Sequence, residues 1–153
     1  MIQEIGLTLL VTVSPISELR GGIPLGISLG LDPLLTFFIA IIANTLIFFP
    51  IYLILRGLYS KLFSRWGLFN RYLDSVRKRG KPKVDKYGFL GFTLLVAIPL
   101  PITGVYTATI LAWILDMNWK ICFPAIGLGV LIAGIIVLSI TLGVTTGLGC
   151  LPK

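Results

Sequence analysis

The sequence predicts an all-α integral membrane protein, built as an inverted repeat of a re-entrant hairpin plus a transmembrane helix, with a cytoplasmic amphipathic helix between the halves. Three observations predict it. Of 153 residues, 56% are hydrophobic and only 12% charged, where soluble domains carry about 25% charged residues. Two apolar runs are long enough to cross a bilayer. Two shorter, proline-interrupted runs precede them in the same order. Residues 1–153 therefore read as one membrane domain, with a first repeat over 1–56 and a second over 87–153.

The first hairpin is expected over residues 5–31. Ile5 to Val13 is apolar, residues 14–22 read SPISELRGG, and Ile23 to Leu31 is apolar again before Asp32 and Pro33. Each arm would reach roughly 14 Å as a helix, against a hydrocarbon core of about 30 Å. Neither arm crosses alone, so the pair is expected to enter and leave by one face, with an irregular tip at residues 14–22. Pro15, Gly21, Gly22 and Pro24 mark that tip. Residues 34–55 follow as an uninterrupted apolar run with Thr36, Asn44 and Thr45 as its polar members. This is the first span, and Pro50 is expected to kink it.

Residues 57–86 are different in kind. Ten of the 13 basic residues lie between Arg56 and Lys86, so the net charge of +7 is a local feature. Leu58, Leu62, Trp66, Phe69, Leu73 and Val76 recur at helical spacing among charged neighbours, the pattern of an amphipathic interfacial helix. Basic segments resist translocation, which makes this loop cytoplasmic and orients the spans beside it. It requires no nucleic acid; acidic lipid headgroups are its natural surface.

The second hairpin is expected over residues 87–115, broken near its middle by Pro99, Pro101 and Gly104. Asp116, Asn118 and Trp119 follow, and residues 121–144 form the second span, with Gly127, Gly129, Ala133 and Gly134 for close packing. Asp116 reads as the cap before that span. At an offset of 84 residues, Pro15 falls on Pro99 and Asp32 on Asp116. One span per half gives the halves opposite orientations, the first hairpin opening outward and the second toward the cytoplasm. Two full crossings per hairpin would require severe bilayer thinning.

Glu18 and Arg20 are the only charged residues inside the first hairpin's interior. Ionisable groups at membrane depth pair with one another or line water-filled paths, and they are functional candidates by default. In an extended tip both could face one cavity, with Arg20 gripping a phosphate or carboxylate and Glu18 carrying a proton. Burial and the nearby guanidinium act on its proton affinity in opposite senses, so the sequence leaves its resting protonation open. A bland reading competes, in which the pair merely fixes the tip. Ser17, Asn44, Thr103 and Thr107 are further candidates for substrate contact, although membrane threonines often bond to their own backbone.

There is no His, and Cys122 and Cys150 are far apart, so metal, cofactor and catalytic-triad readings have no material. The expected partners are membrane lipids, a small-molecule or lipid substrate, and a second copy in a homodimer or larger assembly. The alternative is a non-transporting membrane subunit that binds a partner protein. An enzyme is disfavoured, because no nucleophile, base and orienting group occur together.

SPISELRGGIPLGI at residues 14–27 and AIPLPITGVYTATILAWIL at residues 97–115 resemble the two signature segments of the small multidrug export protein family. That resemblance covers nearly the whole chain and implies a multi-pass protein of the cell membrane that transports. The family is in turn similar in layout to DedA and VTT-domain proteins, which implies paired re-entrant hairpins that move lipids or polyprenyl phosphates, with Glu18 and Arg20 as the matching acidic and basic hairpin residues. DedA proteins carry arginines in the second hairpin, where this chain has Pro-Leu-Pro-Ile-Thr-Gly.

Overall fold

The computed structural model describes residues 2–58, 88–98 and 104–147. Every regular element among them is a helix. The amphipathic segment expected over 57–86 lies almost wholly outside the described residues, as do Pro99, Pro101 and Thr103.

Helices α1 (Ile2–Val13) and α2 (Glu18–Ser28) form the first pair. Gly22 and Gly26, one turn apart on α2, let it press against α1. A Cβ on Gly22 would overlap the Thr12 hydroxyl, and one on Gly26 would meet Thr8 Oγ1 at 3.0 Å and Thr36 Cγ2 at 2.5 Å. Small residues permit such approach where no water-driven force joins helices. The threonines are buried, yet none needs a partner across the interface. Thr8 donates to the Glu4 carbonyl at 2.8 Å, Thr12 to that of Thr8 at 2.7 Å, and Thr36 to that of Asp32 at 2.9 Å.

The tip is shorter than expected. Only residues 14–17 form a turn, and helix resumes at Glu18, with the Glu18 N–H donating to the Ser14 carbonyl at 2.9 Å and the Gly21 N–H to that of Ser17 at 3.1 Å. Backbone groups at membrane depth must find partners within the protein, and a helix supplies them locally. Gly21, Gly22 and Pro24 therefore belong to α2 and not to the tip, while Pro15 stays in the turn.

A compact reversal ends α2. Gly30 has φ +88°, the Gly30 N–H bonds the Ile27 carbonyl and the Leu31 N–H bonds that of Gly26, both at 3.0 Å. Asp32 then accepts from the N–H of Leu34 at 2.9 Å and of Leu35 at 3.0 Å, capping a helix that starts with Pro33. That helix, α3 (Pro33–Leu46), continues as α4 (Phe48–Leu58). The break at Ile47 lies one turn before Pro50, whose missing N–H leaves the Leu46 carbonyl without its helical donor. Together they form a 25-residue apolar stretch, Pro33–Gly57, roughly 37 Å long.

The second half repeats the order. Helices α5 (Gly88–Ala97) and α6 (Val105–Ile114) are short; α7 (Trp119–Gly147) has 29 residues, roughly 43 Å. After α6, Asp116 takes φ +53°, the Met117 N–H bonds the Ala112 carbonyl at 3.0 Å, and Asn118 Oδ1 accepts from the Lys120 N–H at 3.1 Å. Asn118 thus holds the cap expected of Asp116, which instead supplies the left-handed residue of the reversal, a conformation that Asp tolerates better than most.

The long helices run antiparallel. Gly134 lies against Phe37 and Ile41, Gly127 against Thr45, and Phe49 against Phe123 with ring centroids 4.8 Å apart. Only 22% and 44% of their most apolar windows are buried, which leaves Phe38, Ile42, Leu53, Leu131 and Ile140 on the outside. Apolar faces of this extent suit lipid and not water. Leu19, Ile23, Val96, Val105, Ile126 and Val130 form the core where the short helices meet α7.

Candidate functional site

The second pair comprises α5, which ends at Ala97, and α6, which begins at Val105; a helix C-terminus carries a partial negative charge and an N-terminus a partial positive one. The first pair places one ionisable side chain on each end. The Glu18 carboxylate lies directly against Gly104 at the start of α6, where a Cβ would overlap its oxygens. Arg20 Nη2 donates to the Ile98 carbonyl at 3.4 Å. The negative group therefore sits at the positive helix end and the positive group at the negative end. The two also act on each other electrostatically.

Contact runs the other way as well. The Tyr106 hydroxyl, from the first turn of α6, donates to the Val13 carbonyl at the end of α1. Each pair of short helices thus supplies a side chain to the end of a helix of the other pair.

Glu18 holds this position from an unusual backbone. Its φ is +48°, a left-handed conformation that costs a residue with a β-carbon about 1–3 kcal/mol and persists only where surrounding contacts enforce it. The expectation of an extended tip with both side chains facing one open cavity is corrected here. Arg20 is helical and Glu18 is the left-handed first residue of α2, and they diverge, one to the end of α5 and the other to the start of α6.

Asn44 is fully buried, and neither its Oδ1 nor its Nδ2 has a hydrogen-bond partner. Its depth follows from register. Gly26 of α2 faces Thr36 of the antiparallel α3, so eight residues along each helix, about 12 Å, brings Glu18 level with Asn44. Phe37, Ile41 and Thr45 face α7, and Thr36 faces α2. Asn44 lies between these directions on the α3 wheel, and α1 packs on α3 as well.

The remaining candidates separate. Ser17 is half-buried at the start of α2 and makes no side-chain capping bond. Thr107 is on the exposed side of α6, while Thr109 is buried and donates to the Val105 carbonyl at 2.6 Å. Away from this region, Phe48, Phe49, Tyr52, Leu53, Arg56 and Trp119 line an apolar pocket of about 210 Å³. Among the described residues no group of His, Cys, Asp or Glu is placed to hold a metal ion. The sequence did not disclose that Tyr106 links the two pairs through the Val13 carbonyl, nor that the Ile98 carbonyl accepts from Arg20.

No curated protein and no solved structure matches the chain. A family model does, one described as "Putative small multi-drug export protein", over residues 18–136, from Glu18 of the junction through α6 and into α7. With most of its length matched, including both halves of the junction, the chain belongs to the small multi-drug export protein family, and it is a membrane protein of the export type.

Proposed function

We propose that this chain is a transporter that moves a small molecule, a lipid or a polyprenyl phosphate through a midplane site between two re-entrant hairpins, with proton coupling through Glu18. The observation that carries the reading is the junction itself. Helices of 12 and 11 residues on one side and two of 10 on the other are each too short for a core of about 30 Å. The two pairs exchange side chains, Arg20 reaching the Ile98 carbonyl and Tyr106 that of Val13, and on this reading the exchange lies near the middle of the bilayer. Broken helices facing one another at the midplane are the substrate-holding arrangement of inverted-repeat transporters.

The pairing of elements supports the inverted repeat. Helix α2 packs on α7 and α6 packs on α4, the exchange that a two-fold axis in the membrane plane would produce. The reversal motifs align at an offset of 86 residues, Gly30 with Asp116 and Asp32 with Asn118. At that offset Pro15 falls on Pro101 and Arg20 on Tyr106. Arg20 and Tyr106 are the two side chains that reach the carbonyl end of the opposite first arm.

The basic segment over 57–86 places its own side in the cytoplasm of a cell or inner membrane. So few membrane elements enclose little, so the working unit is a homodimer or larger; a strictly monomeric particle with a complete pathway would contradict this. The reading is tested in vesicles that contain the purified protein and a proton-sensitive dye. Glu18→Gln should abolish proton movement linked to substrate uptake, and Arg20→Ala should abolish uptake itself. If both variants fold and transport like the parent, the mechanism is wrong.

A further inference from the structure

The apolar pocket between α4 and the start of α7 lies away from the Glu18–Arg20 junction. It measures about 210 Å³, and its walls are Phe48, Phe49, Tyr52, Leu53, Arg56 and Trp119. Phe48 stacks on Tyr52 with ring centroids 5.4 Å apart, and Phe49 meets Trp119 across the two helices at 6.4 Å. Phe49, Leu53 and Trp119 are exposed, so the pocket opens on the apolar outer surface that suits lipid. It does so at the shared end of the two antiparallel spans, the end that carries Arg56 and Lys120. Sites for whole drug-sized molecules measure about 300–1,000 Å³. A smaller, open, aromatic-walled pocket fits part of a longer molecule, as an acyl chain is.

Apolar walls do not by themselves select a lipid, because acyl chains are as apolar as leucine. Charge does. Arg56, in the last turn of α4, lines the pocket itself, and Lys120 Nζ lies 6.0 Å from the centroid of the Trp119 ring. Among the described residues neither cation is paired with a carboxylate. Glu4 is on α1, Glu18 lies against Gly104, Asp32 caps α3 at the other end of the first span, and Asp116 is exposed in the reversal before α7. A guanidinium and an ammonium bordering an apolar pocket are complementary to a phosphate diester above an acyl chain, the guanidinium gripping two phosphate oxygens at once. A lipophilic cation, which aromatic walls would otherwise suit, is repelled by the same two charges. The chain runs on from Arg56 into the basic segment over 57–86, which gathers acidic lipids around the same end.

We propose that this pocket binds an anionic phospholipid of the leaflet that the basic segment faces, with one acyl chain against Phe49, Leu53 and Trp119 and the phosphate held by Arg56 and Lys120. The site is separate from the junction, and the inference does not rest on the transport reading.

The test follows Trp119 fluorescence in a full-length Trp66→Phe/Trp113→Phe chain, reconstituted in dioleoyl phosphatidylcholine vesicles. A small fraction of either phosphatidylglycerol or phosphatidylcholine carries brominated chains, which quench tryptophan on contact. Two basic groups near a membrane surface favour an acidic lipid by about tenfold at ordinary salt. Brominated phosphatidylglycerol should therefore quench Trp119 at about one-tenth of the fraction that brominated phosphatidylcholine needs. That preference should fall to about twofold or less in Arg56→Gln/Lys120→Gln, yet persist in Lys81→Gln/Lys83→Gln, which removes the same charge from the basic segment. Glycerol 3-phosphate, a headgroup without chains, should not relieve the quenching. Equal quenching by the two lipids, as expected if residues 57–86 or a second copy fill the pocket, overturns the proposal. A preference lost as fully in Lys81→Gln/Lys83→Gln, or relieved by glycerol 3-phosphate, overturns it too. If the tryptophan replacements unfold the chain, native mass spectrometry of the unaltered sequence and of Arg56→Gln/Lys120→Gln reads the same preference as phosphatidylglycerol retained per chain. Equal retention by the two would again overturn the site.

Discussion

At the scale of single residues, the junction depends on the absence of one carbon atom. The Glu18 carboxylate lies against Gly104, the residue before α6, and the missing Cβ there is what permits the contact. Gly104→Ala should lower stability by about 1–3 kcal/mol, the usual cost of overpacking a filled site. Thermal unfolding in detergent measures it. In a Glu18→Gly background the same substitution should cost less than about 0.5 kcal/mol, because contacting residues are coupled and removing one frees the other. An equal penalty in both backgrounds would show that Gly104 is needed for its backbone and not for the carboxylate. Glu18 and Arg20 were legible in the sequence because charge inside an apolar run is costly and therefore conspicuous. Their partners were not. A backbone carbonyl at Ile98 or Val13 carries no signature in the residue type, and only the fold decides which carbonyls a side chain reaches. Asn44 falls between: its type marked it, but whether it had a partner depended on three neighbouring helices.

At the scale of elements, arm length was the readable quantity and local conformation was not. Counting apolar residues predicted two short pairs and two long helices, and those appear within a few residues of the expected bounds. The stretch SELRGG looked irregular because two glycines and a nearby proline disfavour helix in water. In an apolar setting the need to satisfy backbone groups outweighs that preference, and the glycines serve packing instead. This separates two glycines that composition treats alike. Gly26 would place a Cβ 2.5 Å from Thr36 Cγ2, whereas Gly6 has nothing within 4 Å. Gly26→Ala should cost about 1–3 kcal/mol by overpacking the α1–α2–α3 contact, and Gly6→Ala should stay within about 0.5 kcal/mol of the parent. Comparable losses at both sites in a thermal melt would sink the packing account of α2.

At the scale of the whole molecule, the proposed inverted repeat makes a sidedness claim. In a parent with Cys122 and Cys150 replaced, Leu29→Cys should react with a membrane-impermeant maleimide on intact cells. Arg56→Cys and Lys120→Cys should react only after the cells are opened. All three labelled from one side would rule out opposed halves. The sequence suggested the repeat through order alone, at an offset of 84; the reversal motifs align at 86, where Pro15 again meets a proline, Pro101. The reciprocal contacts between the halves also carry a consequence in time. Arg20 and its acceptor are separated by 78 residues, and Tyr106 and its acceptor by 93. At a synthesis rate of about 5–20 residues per second, the first hairpin waits roughly 4–19 s before its counterpart has been made. During that interval the end of α1 and the charge on Glu18 have no second half to meet. The polar groups that later join the halves therefore need another partner, water among them, until the second half has been made.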